Sequence, residues 1–210
     1  MNYTVRLILA TFFVLTTVLM VISCANPAKE HLNKGDEYFA QGRYDEAIEE
    51  YTKAIELDPQ RAELYYKRGN VYFGKGQFQT AIPDYDKAIV LDPKFVMAYN
   101  NRGQAYAGQV QLDRAIADYD KAIELNPKLA VAYDNRGLMY SNKREFDKAI
   151  ADFTKAIELD PDLAKAYFNR AYAYNKNGEV DKARSDLEKC IEISTDPGLT
   201  KAAQQLLERL

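Results

Sequence analysis

The sequence predicts an all-α solenoid of five helix-turn-helix repeats that ends in a C-terminal capping helix. The first observation is a period of 34 residues, which separates the prolines Pro59, Pro93, Pro127 and Pro161. The second is that the same small and aromatic residues recur at fixed places within each period. The third is the i, i+3, i+4, i+7 spacing of apolar residues in the second half of each period, typical of amphipathic helices. The predicted repeats are residues 28–61, 62–95, 96–129, 130–163 and 164–197.

The first element, residues 1–24, has the composition of an export signal. Residues 7–22 follow Arg6, carry no charged side chain and precede small residues. This run of 16 residues is shorter than the roughly 20 residues that a membrane-spanning helix needs. Its end resembles the bacterial lipobox, in the string Val21-Ile22-Ser23-Cys24. That resemblance implies a lipoprotein signal peptide, with Cys24 as the first mature residue and the site of lipidation.

An uncleaved signal anchor that ends at Cys24 is the alternative that the sequence leaves open. If Cys24 carries a lipid, Ala25 stands where some lipoproteins have the aspartate that holds them at the inner membrane. The resemblance therefore implies the outer membrane, facing the periplasm, in an organism that has one. In other organisms it implies the outer face of the cytoplasmic membrane. In each case we expect a membrane-anchored protein of the cell envelope.

Residues 25–27 form a short linker between this anchor and the first repeat. Asn26 and Pro27 are predicted to be the N-cap and the first residue of the first helix. Three residues span at most about 10 Å. We therefore expect the repeats to lie close to the membrane and to bind membrane-bound or membrane-proximal partners.

Small residues recur where paired helices must approach closely, and aromatic residues recur where a gap must be filled. Position eight is glycine in four repeats: Gly35, Gly69, Gly103 and Gly137. Position 24 is aromatic in four repeats: Tyr51, Tyr85, Tyr119 and Phe153. With tyrosine at position 11 and alanine at positions 20 and 27, the pattern resembles the tetratricopeptide repeat over 170 of 210 residues. The resemblance implies an α-solenoid whose first helices line a concave groove.

The starts and ends of the second helices have their own signals. An aspartate just before four of the five second helices is a predicted N-cap, at Asp45, Asp113, Asp147 and Asp181. Asp-Pro or Asn-Pro pairs end the first four repeats, because the residue before proline avoids helical geometry. Pro83 is predicted to lie about four residues into a second helix, where the lost backbone hydrogen bond matters little.

The fifth repeat departs from the pattern, as terminal repeats commonly do. It has Ala171 at the glycine position, Leu187 at the aromatic position and Cys190 at the second alanine position. After it, residues 198–210 place their leucines and alanines on one helical stripe. We interpret them as a capping helix, although the same surface could form a dimer.

Charge and composition exclude several classes of protein. The formal net charge is −3, and it becomes −4 without residues 1–24, whose one charged residue is Arg6. A nucleic-acid-binding protein needs a basic surplus, so no nucleic-acid partner is expected. Two cysteines and one histidine are too few for a zinc or disulfide framework. No motif indicates a catalytic, metal or cofactor site, so we expect no enzyme activity and no cofactor.

The predicted peptide-binding residues come from the groove positions of the tetratricopeptide repeat. Position six is asparagine in four repeats, and a line of asparagine amides suits the backbone of an extended peptide. This line resembles the asparagine ladder of the O-linked N-acetylglucosamine transferase superhelix. An equal alternative is that these asparagines serve packing between repeats. The predicted groove residues are Asn33, Tyr66, Lys67, Asn70, Phe73, Asn100, Asn101, Gln104, Asp134, Asn135, Phe168, Asn169 and Tyr172.

The resemblance implies a scaffold that binds peptide segments of envelope proteins in this groove. The basic residues of a chaperone-type carboxylate clamp are missing, which argues against recognition of an acidic C-terminus. A module that binds cell-wall glycan is one alternative, because asparagines and aromatic rings also suit sugars. A fixed subunit of an envelope assembly machine is another.

Overall fold

The computed structural model describes residues 26–210, and this part of the chain folds into eleven α-helices without a strand. The helices are α1 (Pro27–Ala40), α2 (Tyr44–Leu57), α3 (Ala62–Gly74), α4 (Phe78–Leu91), α5 (Val96–Gly108), α6 (Leu112–Leu125), α7 (Ala130–Asn142), α8 (Phe146–Leu159), α9 (Ala164–Lys176), α10 (Val180–Ile193) and α11 (Pro197–Leu207). Helices α1 to α10 form five consecutive hairpins, and each hairpin packs on the next. The all-α solenoid prediction is confirmed. The predicted signal at residues 1–24, its lipidation site Cys24 and the first linker residue, Ala25, lie outside the described residues.

The start of α1 is the one that the sequence predicts. The side chain of Asn26 accepts a hydrogen bond from the amide of Lys29 at 3.1 Å, and Pro27 is the first helical residue. This arrangement satisfies one of the amides that have no partner inside the helix.

The N-cap prediction for the second helices is wrong by two residues. The cap of α2 is Arg43, whose carbonyl already accepts the first helical hydrogen bond, from Ala47 at 3.0 Å. Asp45 therefore lies inside the first turn, where a negative charge still favours the positive end of the helix dipole. Asp113, Asp147 and Asp181 occupy the same place in α6, α8 and α10.

The interpretation of Pro83 also needs correction. It is the sixth residue of α4, so its missing amide leaves the carbonyl of Gln79 without a helical donor. The loss falls in the second turn and not among the first amides, which have no helical partner in any case. The helix nevertheless continues to Leu91.

Each of the first four hairpins closes where a glycine faces an aromatic ring. A Cβ atom added at Gly103 would lie 2.8 Å from the ring of Tyr119, and one added at Gly69 would lie 2.9 Å from the ring of Tyr85. Such contacts are far inside van der Waals distance, so only glycine fits beneath the ring. In the last hairpin the smaller Leu187 replaces the ring, and Ala171 fits beneath it, both fully buried.

A recurrent arginine, which we call the arginine bridge, joins each hairpin to the one before it. Arg102 of α5 donates to both carboxylate oxygens of Asp118 in its own hairpin, at 2.8 and 2.6 Å. It also donates to Asp86 of the preceding hairpin at 2.6 Å. The equivalent bridges are Arg68 with Asp84 and Thr52, Arg136 with Asp152 and Asp120, and Arg170 with Asp186 and Thr154.

The arginine bridge is absent from the first hairpin, which has Lys34 and Glu50 at the two positions. There Glu50 lies 2.7 Å from His31. The sequence analysis did not identify these bridges, although each arginine precedes its aspartate by 16 residues. That constant offset was the available signal.

The tight turn inside each hairpin contains one residue with a positive φ. Glycine takes this place in three hairpins, at Gly42, Gly76 and Gly178, because it has no Cβ to oppose that backbone conformation. Val110 and Arg144 take it in the other two, with φ of 60° and 62°.

Helix α11 closes the C-terminal end of the solenoid. Its cap Asp196 accepts from the amide of Gly198 at 2.8 Å, and its leucines pack against Leu187 and Cys190 of α10. The capping-helix prediction is confirmed. Among residues 26–210, every helix is too short or too polar to cross a lipid bilayer.

Candidate peptide-binding groove

The first helices of the hairpins, α1, α3, α5, α7 and α9, form one continuous surface. From α3 onward, each first helix contacts the next first helix directly, and no two second helices of the described chain touch to the same extent. The first helices are therefore the inner layer of the stack, and we call their shared surface the groove. Position six of each repeat lies along its middle.

The structure places the thirteen predicted groove residues at three levels of burial. The exposed residues are Asn33 and Tyr172. The half-buried residues are Tyr66, Lys67, Asn70, Phe73, Asn101, Gln104, Asn135, Phe168 and Asn169. The buried residues are Asn100 and Asp134. Direct contact with a ligand stays a prediction for the first two groups, whereas Asn100, only 1% exposed, supports its neighbours.

The position-six side chains form a ladder that ties each hairpin to the preceding one. Asn135 donates from Nδ2 to Oδ1 of Asn100 at 3.2 Å, and Asn169 donates to Oδ1 of Asp134 at 2.8 Å. Lys67 also reaches the preceding hairpin, where it donates to both carboxylate oxygens of Asp36 at position nine, at 2.9 and 3.0 Å. All of these donors point toward the N-terminal neighbour.

Asn101 makes the densest of these contacts. Its Nδ2 donates to the hydroxyl of Tyr66 at 3.1 Å and to Oδ1 of Asn70 at 2.9 Å, while its Oδ1 accepts from Asn100 at 3.0 Å. Oδ1 of Asn70 also accepts from the hydroxyl of Tyr85 at 2.9 Å. The amide of Asn101 is therefore fully engaged within the protein.

Asn135 and Asn169 differ from Asn101 in one respect. Their Nδ2 atoms are engaged, but no donor within residues 26–210 lies within hydrogen-bonding distance of their Oδ1 atoms. An amide carbonyl oxygen of this kind can accept a backbone N–H of an extended peptide. The two interpretations of the asparagines, packing between repeats and peptide binding, are therefore compatible. The Nδ2 atom packs against the preceding repeat, and the Oδ1 atom is available to accept a hydrogen bond from a peptide.

Asp134 is a buried carboxylate in this ladder. Burial raises its pKa, and the hydrogen bond from Asn169 opposes that rise only in part. The equivalent residue one repeat earlier is the neutral Asn100, which accepts the same kind of bond. Burial thus disfavours the charged form of Asp134, at a position where the amide oxygen of Asn100 serves as the acceptor one repeat earlier.

The predicted aromatic anchors are mostly packed against other rings. Tyr66 lies 4.7 Å from Phe95, and Phe73 lies 5.3 Å from Phe78, measured between ring centroids. Tyr172 is the one that reaches solvent, with 42% exposure.

Two groups of groove residues escaped the sequence analysis. Met97 and Val131 are exposed apolar side chains at position two of adjacent repeats. Ser141, Arg144 and Lys176 line a cavity beside Tyr172. Comparing each repeat position across all five repeats would have shown both groups, because their neighbours in the alignment differ in charge or size.

Known protein families with the same repeat architecture match most of the chain. Models described as "TPR repeat" match residues 35–76, 69–110 and 142–178, and models described as "Tetratricopeptide repeat" match residues 96–129, 118–151 and 164–197. No curated protein sequence matches the chain.

Solved structures of similar fold include MamA, which is 34% identical over 75% of this chain and 92% of its own, with a TM-score of 0.70. YrrB, described as a TPR protein with an unusual peptide-binding site, is 26% identical over 90% of this chain and 97% of its own, with a TM-score of 0.68. The first TPR of Spaghetti (RPAP3), bound to the HSP90 peptide SRMEEVD, is 32% identical over 57% of this chain and 95% of its own, with a TM-score of 0.56.

Proposed function

Because this chain belongs to the tetratricopeptide-repeat family and is a protein-interaction scaffold, we propose that it binds peptide segments of cell-envelope proteins in its groove while anchored to a membrane. The observation that carries the proposal is the pair of unengaged Oδ1 atoms on Asn135 and Asn169. Similar structures described by their peptide-binding site or bound peptide support it.

The ladder favours recognition of the peptide main chain. An extended peptide presents a backbone N–H at regular intervals, and each can donate to one asparagine oxygen. Because Asn100 and Asp134 hold the asparagine side chains from behind, the acceptor oxygens are oriented before the peptide arrives. Preorganisation of this kind improves affinity by reducing the entropy lost on binding.

A glycan ligand receives less support than a peptide. Sugar binding relies on open aromatic faces, and the rings of Tyr66 and Phe73 are already packed against Phe95 and Phe78.

The test of peptide binding removes the two free acceptors. We expect the double variant Asn135→Ala, Asn169→Ala to bind display-selected dodecapeptides about thirty-fold more weakly, since each of the two lost hydrogen bonds contributes about 1 kcal/mol. Fluorescence anisotropy with the selected peptides measures the affinity, and thermal unfolding checks that the solenoid remains folded. Gln204→Ala with Gln205→Ala, which removes two exposed amides from α11, is the matched control. Equal affinity of the ladder variant and the control would contradict the proposal.

The membrane anchor is proposed from residues 1–24 and the lipobox-like string that ends at Cys24. A lipid there would hold α1 beside the bilayer, because only Ala25 and Asn26 separate Cys24 from Pro27, the first residue of α1. Mass spectrometry of the membrane fraction should find a chain that begins at an acylated Cys24. An intact Met1 or an unmodified Cys24 would reject the lipoprotein proposal.

The envelope partners are proposed to be membrane-proximal. Crosslinking in intact cells, followed by identification of the crosslinked proteins, should recover proteins of the same membrane. Recovery of freely soluble proteins alone would count against this location for the groove.

A further inference from the structure

Two cavities along the described part of the solenoid follow from the repeat itself. They have volumes of about 630 and 410 Å³ and are lined by positions 15 to 19 of one repeat and position 14 of the next. They differ by a shift of one repeat, so they are a regular consequence of hairpin stacking.

A third cavity, of about 310 Å³, lies between the fourth and fifth hairpins at the side of the groove, and we call it the acid pocket for the reason argued below. Its lining is Ser141, Asn142, Arg144, Phe146, Tyr172 and Lys176. Most of these residues belong to the first helices α7 and α9, so the pocket opens beside the ladder.

The acid pocket is lined by a serine at a position where two other hairpins have an aromatic ring. At position 12 the first two hairpins have Phe39 and Phe73, whose rings pack against the aromatic residue at position 17 with centroid separations of 5.9 and 5.3 Å. In the fourth hairpin position 12 is Ser141. The space beside Phe146 is therefore open.

Ser141 is buried but has an unused hydroxyl. The residue as a whole is only 7% exposed, but its hydroxyl is not among the fully buried, unpaired polar atoms of residues 26–210. Because its side chain lines the cavity, that hydroxyl is available to a ligand. A serine hydroxyl can donate one hydrogen bond to a ligand oxygen.

Two cations without a carboxylate partner share the same cavity. The ion pairs within residues 26–210 include neither Arg144 nor Lys176, although the neighbouring Lys143 is paired with Asp113 at 2.6 Å. Lys176 lies 5.3 Å from the ring centroid of Tyr172, which positions its ammonium group over the ring.

The same positions in the other hairpins lack these cations. Position 15 is Gly42, Gly76, Val110 and Gly178, and position 13 is Ala40, Gly74, Gly108 and Asn142. The combination of two cations with a free hydroxyl is therefore unique to the junction of the fourth and fifth hairpins. An arginine fork, an ammonium and a hydroxyl together match the oxygens of a carboxylate.

We propose that the acid pocket binds the carboxylate of an aspartate or glutamate side chain in the peptide that occupies the groove. This inference rests on the proposed function. The ladder reads the peptide main chain at Asn135 and Asn169, and the acid pocket selects one acidic side chain beside it. The pocket lies at positions 12 to 17 of the fourth repeat, away from the positions two, five and six that a carboxylate clamp uses.

The experiment selects random dodecapeptides on the full-length protein and compares the recovered pools. The test variant is Arg144→Gly with Lys176→Asn, which introduces residues that other hairpins already have at these positions. The control is Lys94→Asn with Lys128→Asn, which removes the same charge from exposed loops between hairpins. A third variant, Ser141→Phe, refills the pocket as Phe73 does in the second hairpin.

We expect wild type and control to recover peptides enriched in aspartate or glutamate at one position. A selected peptide should bind the test variant about ten-fold more weakly, since charge-assisted hydrogen bonds are stronger than neutral ones. Replacing its acidic residue by the corresponding amide should weaken binding to wild type equally and leave binding to the test variant unchanged. Thermal unfolding verifies each variant, and if Ser141→Phe fails to fold, Ser141→Ala replaces it.

Peptides recovered by wild type without any acidic preference would overturn the acid pocket and leave the groove proposal intact. If the test variant recovers peptides with the same enrichment in aspartate or glutamate as wild type, the acid pocket is likewise overturned and the groove proposal stays intact. Recovery of no binding peptide at all would overturn both proposals.

Discussion

At the scale of single residues, a glycine and the ring above it determine how closely two helices pair. Gly103 leaves no room for a methyl group beneath Tyr119, and Ala171 is tolerated only because Leu187 is smaller than a ring. The fifth repeat therefore replaces both members of the pair together, which the sequence analysis recorded as two separate departures.

Replacing Gly103 by alanine tests this pairing. We expect Gly103→Ala to destabilise the protein by about 1–3 kcal/mol through overpacking, despite the better helix propensity of alanine. Adding Tyr119→Leu should recover part of that loss, because the double variant copies the Ala171 and Leu187 pair. Urea unfolding of the single and double variants measures both effects. Additive losses, or a Gly103→Ala variant as stable as wild type, would show that the ring does not set the spacing.

Asp134 gives a prediction about pH. Because burial raises its folded pKa above the unfolded value, the folded state binds the proton more tightly. Stability from this group is thus present below about pH 4, the unfolded pKa, and is lost as the pH rises through the raised folded pKa.

We expect Asp134→Asn to be more stable than wild type at pH 7 by about 1 kcal/mol, because the amide oxygen can still accept from Asn169. The difference should shrink as the pH falls toward 4. Thermal unfolding across this range measures it, with Asn100→Asp as the control that should show the opposite sign. If the stability difference between Asp134→Asn and wild type does not depend on pH, the effect comes from packing and not from the charge of Asp134.

At the scale of the helix, the presence of each second helix was easier to predict than the residue at which it begins. Apolar periodicity identified every second helix because the pattern repeats five times, and the proline spacing marked the ends of the first four repeats. The predicted N-caps lie two residues after the observed ones, because aspartate is also favourable in the first turn of a helix. In this fold three of these aspartates also contact the following hairpin. Asp45, Asp113 and Asp147 bond to Lys75, Lys143 and Asn177 of the following hairpin. Contacts between hairpins are not visible in a local cap signal.

Pro83 is an irregularity of α4 that can be removed. We expect Pro83→Ala to stabilise the protein by about 1–3 kcal/mol, since it restores an amide donor for Gln79 in the helix interior. Pro59→Ala, in a turn where proline is suited to the backbone, should instead have a small destabilising effect. Differential scanning calorimetry of both variants provides the measurement. An unchanged or lower melting temperature for Pro83→Ala would mean that the helix has adapted to the proline.

At the scale of the whole molecule, stability is shared between neighbouring hairpins. Each arginine bridge and each rung of the ladder connects one hairpin to the one before it, so a terminal hairpin has such a neighbour on one side alone. Helix α11 takes the place of the missing neighbour at the C-terminal end, covering Leu187 and Cys190.

Removal of α11 should loosen the last hairpin first. We expect a chain that ends at Ser194 to expose the thiol of Cys190, whose pKa is raised by burial in the complete protein. Iodoacetamide labelling, followed by mass spectrometry of the peptide that contains Cys190, should become much faster. Labelling of unchanged rate would show that α11 does not protect this end, and hydrogen exchange of α1 serves as the internal control.

The position of the groove could be predicted from the sequence, but the side chains that are available to a ligand could be predicted only in part. A repeat position gives the direction of a side chain, and this identified the line of asparagines. Burial depends on what the adjacent repeat supplies, so Asn100 and Asp134 could not be separated from the accessible residues by position. The acid pocket was overlooked because it results from what is missing at Ser141 as well as from what is present at Arg144 and Lys176.

The ladder has a further consequence, because all of its ties run the same way. Lys67, Asn101, Asn135 and Asn169 each reach toward the N-terminal neighbour, so their remaining faces are offset in one sense along the stack. The groove surface therefore has a direction along the solenoid axis. A strand threaded along it in one orientation meets a different series of contacts from the same strand reversed, and the two modes of entry are not equivalent.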